Sequence, residues 1–218
     1  GGLNHNYKNG QSTINGYLED YASTIDAFIS LYENTLDDKW LITARNLTNY
    51  TFDHFFDENS RMFFFTSNED DALVSRSIEY RDNVIPASNS IMAKNLFKLA
   101  HYFDNEHYRK TAVIMLNNVK PEIEDYASGY SNWLDLMLNY TNPFYEIAIV
   151  GNEASSKISE LNQSYLPNKL IAGSITDKDS PLLENRYVPN ETLIYVCVDN
   201  TCQLPVVHAD DAIKLLKP

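Results

Sequence analysis

Carboxylates set among aromatic residues are the first groups in this chain with chemical potential. Glu19 and Asp20 lie in Gly16-Tyr17-Leu18-Glu19-Asp20-Tyr21-Ala22. Neighbouring helix positions project about 100° apart, so only one of the pair faces a cavity. Leu18, Tyr21 and Ala22 bracket the buried side, which favours Asp20. A carboxylate half-buried among tyrosines has a raised pKa and serves as acid or base. The same position also suits a plain first-turn acid favoured by the helix dipole. Two-carboxylate hydrolysis needs a second acid, and Asp82 is the nearest one. Cys197 and Cys202 form the other candidate pair, at Cys-x4-Cys spacing around a turn at Asp199-Asn200. Zinc would require two more ligands where only His208 is near, so no metal is expected. The spacing is not that of a Cys-x-x-Cys catalyst. Two reduced structural thiols are the favoured reading; a cross-strand disulfide is the alternative, if the Cα atoms approach within about 4.4–6.8 Å.

The elements that must position these groups announce themselves by repetition. Phe28, Leu31, Thr43, Ala44 and Leu47 recur 68 positions later as Leu96, Leu99, Thr111, Ala112 and Met115. Trp40 falls on Tyr108, and the turn residue Asp37 on Asn105. A two-helix unit echoed at long period marks an array whose hairpins hide their apolar faces on one another, a solenoid or closed toroid. Apolar periodicity predicts helices over 16–34 and from Trp40 to about Phe56. Further helices are predicted over 88–103, over 106–119 with a break at Lys120-Pro121, and from Tyr130 onward. Met62-Phe63-Phe64-Phe65 reads as a short strand, and the polar stretch 66–82 as a lid or binding loop. Beyond Pro143 the period changes. Strands over 145–150 and 170–172 flank a helix over 153–165, which predicts parallel pairing. Strands over 192–198 and 203–207 and a helix over 209–216 complete a small α/β region. The expected fold is thus mainly α over 1–143, followed by an α/β subdomain over 144–218.

Composition narrows the partners. The chain has 218 residues and a formal net charge of −13, which repels nucleic acid and anionic membrane surfaces. No apolar run approaches the roughly 20 residues of a membrane span. The start lacks the basic head and apolar stretch of a signal peptide, and two cysteines are ordinary cytosolic usage. A cytoplasmic protein without a cofactor is expected.

Three motifs carry a family resemblance: Gly16 to Ala22, then Val84-Ile85-Pro86-Ala87-Ser88-Asn89-Ser90, then Tyr195-Val196-Cys197 through Cys202-Gln203-Leu204-Pro205. In that order they resemble the C-terminal part of the spermatogenesis-associated, thioredoxin-domain-containing family. The resemblance spans nearly the whole chain. It implies a fragment, with a thioredoxin-like domain and further helical hairpins elsewhere in the protein. It also implies that the helices are an arc of an (α/α)6 toroid similar to that of N-acylglucosamine 2-epimerases and six-hairpin glycosidases. Where similar proteins usually have Gly-Gly after the acidic turn, this chain has Arg61-Met62.

In such a toroid alternate helices line the cleft, so the starts of the first, third and fifth helices should converge. Helix starts offer unpaired N–H groups to polyhydroxylated or anionic ligands. The residues expected to touch a sugar or small polar ligand are Tyr7, Lys8, Glu19, Tyr21, Ser88, Asn89 and Tyr130. Ser and Asn are equally ordinary helix caps. The catalytic candidates are Asp20, His5 and Asp82. An epimerase would use two histidines or a His–carboxylate pair, and His5 lies on the right rim; His54, His101 and His107 are expected on solvated outer faces. Two classes remain: a carbohydrate-processing toroid, or a non-catalytic scaffold acting with a redox domain. Open lateral surfaces of an incomplete ring are expected to promote self-association.

Overall fold

The repeat is carried into the backbone. A computed structural model describes residues 2–71, 75–199 and 201–216. Helix α1 (Leu18–Thr35) is followed by α2 (Asp38–Phe55), and α3 (Ser88–Phe103) by α4 (Glu106–Ile123). Helices α2 and α4 have the same length and the same 68-residue offset. Each hairpin turns on a residue with left-handed backbone, Leu36 at φ 58° and Asp104 at φ 45°. Asn105 then caps α4 by accepting from the Tyr108 amide at 3.1 Å. Helix α4 runs through Pro121 rather than breaking before it. Burial of Val119 and Ile123 holds the last turn together despite the amide hydrogen bond that Pro121 cannot make.

Two compact units divide the chain, neither continuous in sequence. Gly1–Ile29, Lys39–Ala100 and Asn105–Met137 form the first; Ser30–Asp38, His101–Asp104 and Leu138–Pro218 form the second. In the first, a 3₁₀ turn (Ala127–Tyr130) leads into α5 (Ser131–Thr141), whose Trp133 is fully buried. The short strands β1 (Phe56–Asp57) and β2 (Met62–Phe63) pair antiparallel across the acidic turn.

The second unit is built on a four-stranded sheet of order β4-β3-β5-β6. Strand β3 (Tyr145–Val150) pairs parallel with β4 (Lys169–Ser174) and antiparallel with β5 (Leu193–Val198). The parallel pairing follows from the intervening helix α6 (Ala154–Leu161), which is shorter than its apolar pattern implied. Strand β6 is only Thr201–Cys202; Val206 makes a single bridge to Ile194 in place of the expected strand over 203–207. Pro205 supplies no amide to continue a ladder. Tyr145, Ile147 and Ile149 pack with α6 and with α7 (Ala209–Leu215), so Glu146, Ala148 and Val150 face the other way. Gly151 closes β3 at φ 133°, where an added Cβ would lie 2.3 Å from the Glu191 carbonyl oxygen. Close to half of the chain is helical, and no helix among the described residues is long and apolar enough to cross a membrane.

Candidate functional site

An N-terminal arm delivers one half of the first site. Asn9 and Gly10 both have positive φ, and Lys8 and Gln11 exchange backbone hydrogen bonds of 2.9 and 3.1 Å. This is the hairpin that Asn-Gly specifies. The arm is pinned by Gly16 N donating to the Leu3 carbonyl at 2.8 Å and by Leu3 N donating to the Tyr21 hydroxyl at 2.7 Å. It carries His5 onto the start of α1, with Nδ1 2.9 Å from Asp20 Oδ2. The same carboxylate oxygen accepts from Tyr17 N at 2.8 Å, the backward reach of a capping box. The His5 ring lies 4.8 Å from Tyr17, which stacks on Phe65 at 5.0 Å. Both partners stay accessible, with side chains 38% and 26% exposed. Tyr7 and Lys8 stand exposed on the arm, and Glu19 is half-buried. Tyr21 is buried against Tyr50 and Phe55; burial raises its pKa.

Asp82 occupies a different environment. Its Oδ1 accepts from Ala87 N at 2.9 Å and Ser90 Oγ at 2.7 Å, and its Oδ2 from Asn132 N at 2.8 Å. One carboxylate thus joins the starts of α3 and α5. Asn89, fully buried, accepts from Phe63 N and donates to the carbonyls of Phe63 and Glu79. Ser88 is buried as well, and its Oγ has no hydrogen-bond partner among the described residues.

Tyr130 belongs to a third cluster. Its hydroxyl donates to Glu122 Oε2 at 2.5 Å and receives Arg81 Nε at 3.1 Å. Arg81 and Tyr80 also donate to Glu122, at 2.5 and 3.2 Å. These donors hold the Glu122 carboxyl below its ordinary value, the Tyr130 bond foremost. Glu122 and Tyr80 line a cleft of about 390 Å³ together with Asn59, Ser60 and Asn118. Of this cluster the sequence pattern flagged Tyr130 alone; Tyr80, Arg81 and Glu122 gave no signal, because they come from a loop and the end of α4.

The expectation that His54, His101 and His107 are solvated holds only for His107, which is exposed. His54 accepts or donates at 2.9 Å to Asn68 and packs on Tyr50. In the second unit, His101 Nδ1 lies 2.7 Å from Oε1 of Glu146, which is 4% exposed. A buried carboxylate needs such a partner. The Glu146 Oε2 atom is buried without a hydrogen bond among the described residues. The reading of two reduced thiols is also corrected: Cys197 and Cys202 form a disulfide, because the β5–β6 register sets them directly opposite one another. Asn200, assigned to the turn between them, lies outside the described residues. Arg186 donates to both sulfurs, at 3.5 and 3.4 Å; burial pushes its pKa down, and Glu146 opposes that. A second concavity in this unit, about 430 Å³, is lined by Asn152, Glu153, Lys157, Glu191 and His208 beyond the end of β3. It mixes both charge signs.

No family model matches the chain. It is 24% identical over 215 residues to spermatogenesis-associated protein 20 of Homo sapiens, covering 93% of this chain and 27% of that protein. The Rattus norvegicus protein of the same name is 24% identical over 213 residues, covering 92% and 27%. An uncharacterized protein of Caenorhabditis elegans is 26% identical over 220 residues, covering 94% and 29%. The chain therefore spans little more than a quarter of the length of these relatives.

Proposed function

We propose that this chain is the C-terminal portion of a larger carbohydrate-processing protein that works by proton transfer of the epimerase type at His5 and Asp20. The observation that carries the reading is the 2.9 Å contact between Nδ1 and Oδ2. Because Oδ2 already accepts from the Tyr17 amide, it acts as an acceptor toward His5 as well. Nδ1 then carries the hydrogen and Nε2 presents a lone pair, the tautomer of a general base. The Tyr17–Phe65 stack gives an apolar wall beside a polar pair, the usual composition of a small-ligand site. Asp82 has both oxygens engaged by helix starts, which argues against a two-carboxylate hydrolase. In this reading the remaining hairpins of an (α/α)6 ring and a thioredoxin-like domain belong to the rest of the protein. Tyr7, Lys8 and Glu19 border the ligand, and exposed Val84 and Ile85 contribute to self-association of the isolated chain.

The test uses full-length protein in deuterium oxide with a panel of N-acetylhexosamines and free aldoses. Deuterium should enter at the carbon beside the carbonyl. His5→Gln should slow that exchange at least about a hundredfold, and Asp20→Asn about tenfold. Exchange at the native rate in His5→Gln would overturn the assignment.

A further inference from the structure

We infer that Cys197–Cys202 is a disulfide-exchange site for an external dithiol, with Arg186 steadying the sulfur that departs. The pair is asymmetric. Cys197 is fully buried on β5, whereas Cys202 on β6 is exposed and followed by Leu204, which is 87% exposed. An incoming thiolate therefore has one sulfur to attack. The guanidinium of Arg186 touches both sulfurs and lies over the Tyr195 ring at 5.4 Å, so it is fixed in place. A cation at a sulfur favours its thiolate and so its departure. On β3, Glu146 is the register partner of Cys197 and shares its face of the sheet. With Oε1 taken by His101, its Oε2 is left as a buried acceptor without a donor among the described residues. Reduction supplies that donor, the S–H of Cys197. The sequence separation of the cysteines is 5, so the cross-link removes little chain entropy and is a weak staple.

The exchange runs in two displacements. A thiolate of the dithiol attacks Cys202 Sγ and forms a mixed disulfide. The Cys197–Cys202 bond breaks, and its electron pair goes to Cys197 Sγ, which takes up a proton. The second thiolate of the dithiol then attacks its own sulfur in the mixed disulfide. Cys202 leaves as a thiolate and is protonated. The dithiol is oxidised by two electrons, and the cysteine pair is reduced by two.

Reduction of the folded full-length protein by dithiothreitol, followed by quenched alkylation and mass spectrometry, tests the site. The rate should rise linearly with dithiothreitol concentration and fall about tenfold in Arg186→Gln. Arg186→Lys, which keeps the charge but not the fork, should fall between. Oxidised glutathione should form a mixed disulfide with Cys202 in Cys197→Ser, and far more slowly with Cys197 in Cys202→Ser. A rate that saturates at the unfolding rate, an unchanged rate in both Arg186 variants, or equal labelling of the two cysteines would overturn the inference.

Discussion

Asp82 in the helical unit and Glu146 in the sheet unit are both buried carboxylates, 7% and 4% exposed, yet they are used differently. Asp82 spends both oxygens on the chain itself, taking two backbone amides and a hydroxyl from two helix starts. Glu146 gives one oxygen to His101 and keeps the other unoccupied beside a disulfide and a guanidinium. A saturated carboxylate is a structural junction; a half-saturated one is a poised acceptor. The difference separates polar residues that hold a fold from those that remain available to chemistry.

The largest effect that sharpens this contrast is Asp82→Ala. It strands the amides of Ala87 and Asn132, each costing about 1–3 kcal/mol, so urea unfolding should show a loss of about 3 kcal/mol or more. Asp82→Asn should lose about 2 kcal/mol, because an amide keeps only one acceptor oxygen. Glu146→Gln should stay within about 1 kcal/mol of the native protein, since it keeps an acceptor for His101 and removes a buried charge. Equal losses from Asp82→Asn and Glu146→Gln would break the contrast.

A pH experiment addresses both units through their buried tyrosines. Burial pushes Tyr108 in the helical unit up to about 12, and Tyr102 in the sheet unit is also raised, by burial and then by Glu33. The folded state therefore binds protons more tightly than the unfolded chain. The stability is complete below the unfolded value near 10 and is lost as pH rises through the folded value. For Tyr108 alone the loss at pH 11 is about 1 kcal/mol. Tyrosinate absorbance and loss of helical circular dichroism should rise together above pH 10. Full ionisation with helicity intact would refute the burial argument.

The smallest effect concerns Arg61, which sits at φ 58° on the β1–β2 turn, a backbone conformation that favours glycine. Arg61→Gly should relieve the left-handed strain and raise stability by up to about 1 kcal/mol, less the contacts Arg61 makes with Glu58 and the Phe56 ring. A destabilised Arg61→Gly would mean that those contacts outweigh the backbone term.

Local pattern by itself determined the two repeated hairpins, the bounds of α3, and strand β3 as a buried run. Each of these is dictated by periodicity within one segment, which a single turn of helix or a pleat enforces. The N-terminal hairpin at Asn9-Gly10 was not among the elements expected from the sequence, although that pair favours a tight turn. Tertiary structure alone decided that Asp20 meets His5, that Asp82 joins two helix starts, that Glu146 meets His101, and that Tyr130 meets Glu122. It also decided that Pro121 stays helical and that the two cysteines bond. In each case the partner lies outside the local period, or burial outweighs a local preference, and burial is a property of the assembled chain rather than of any segment.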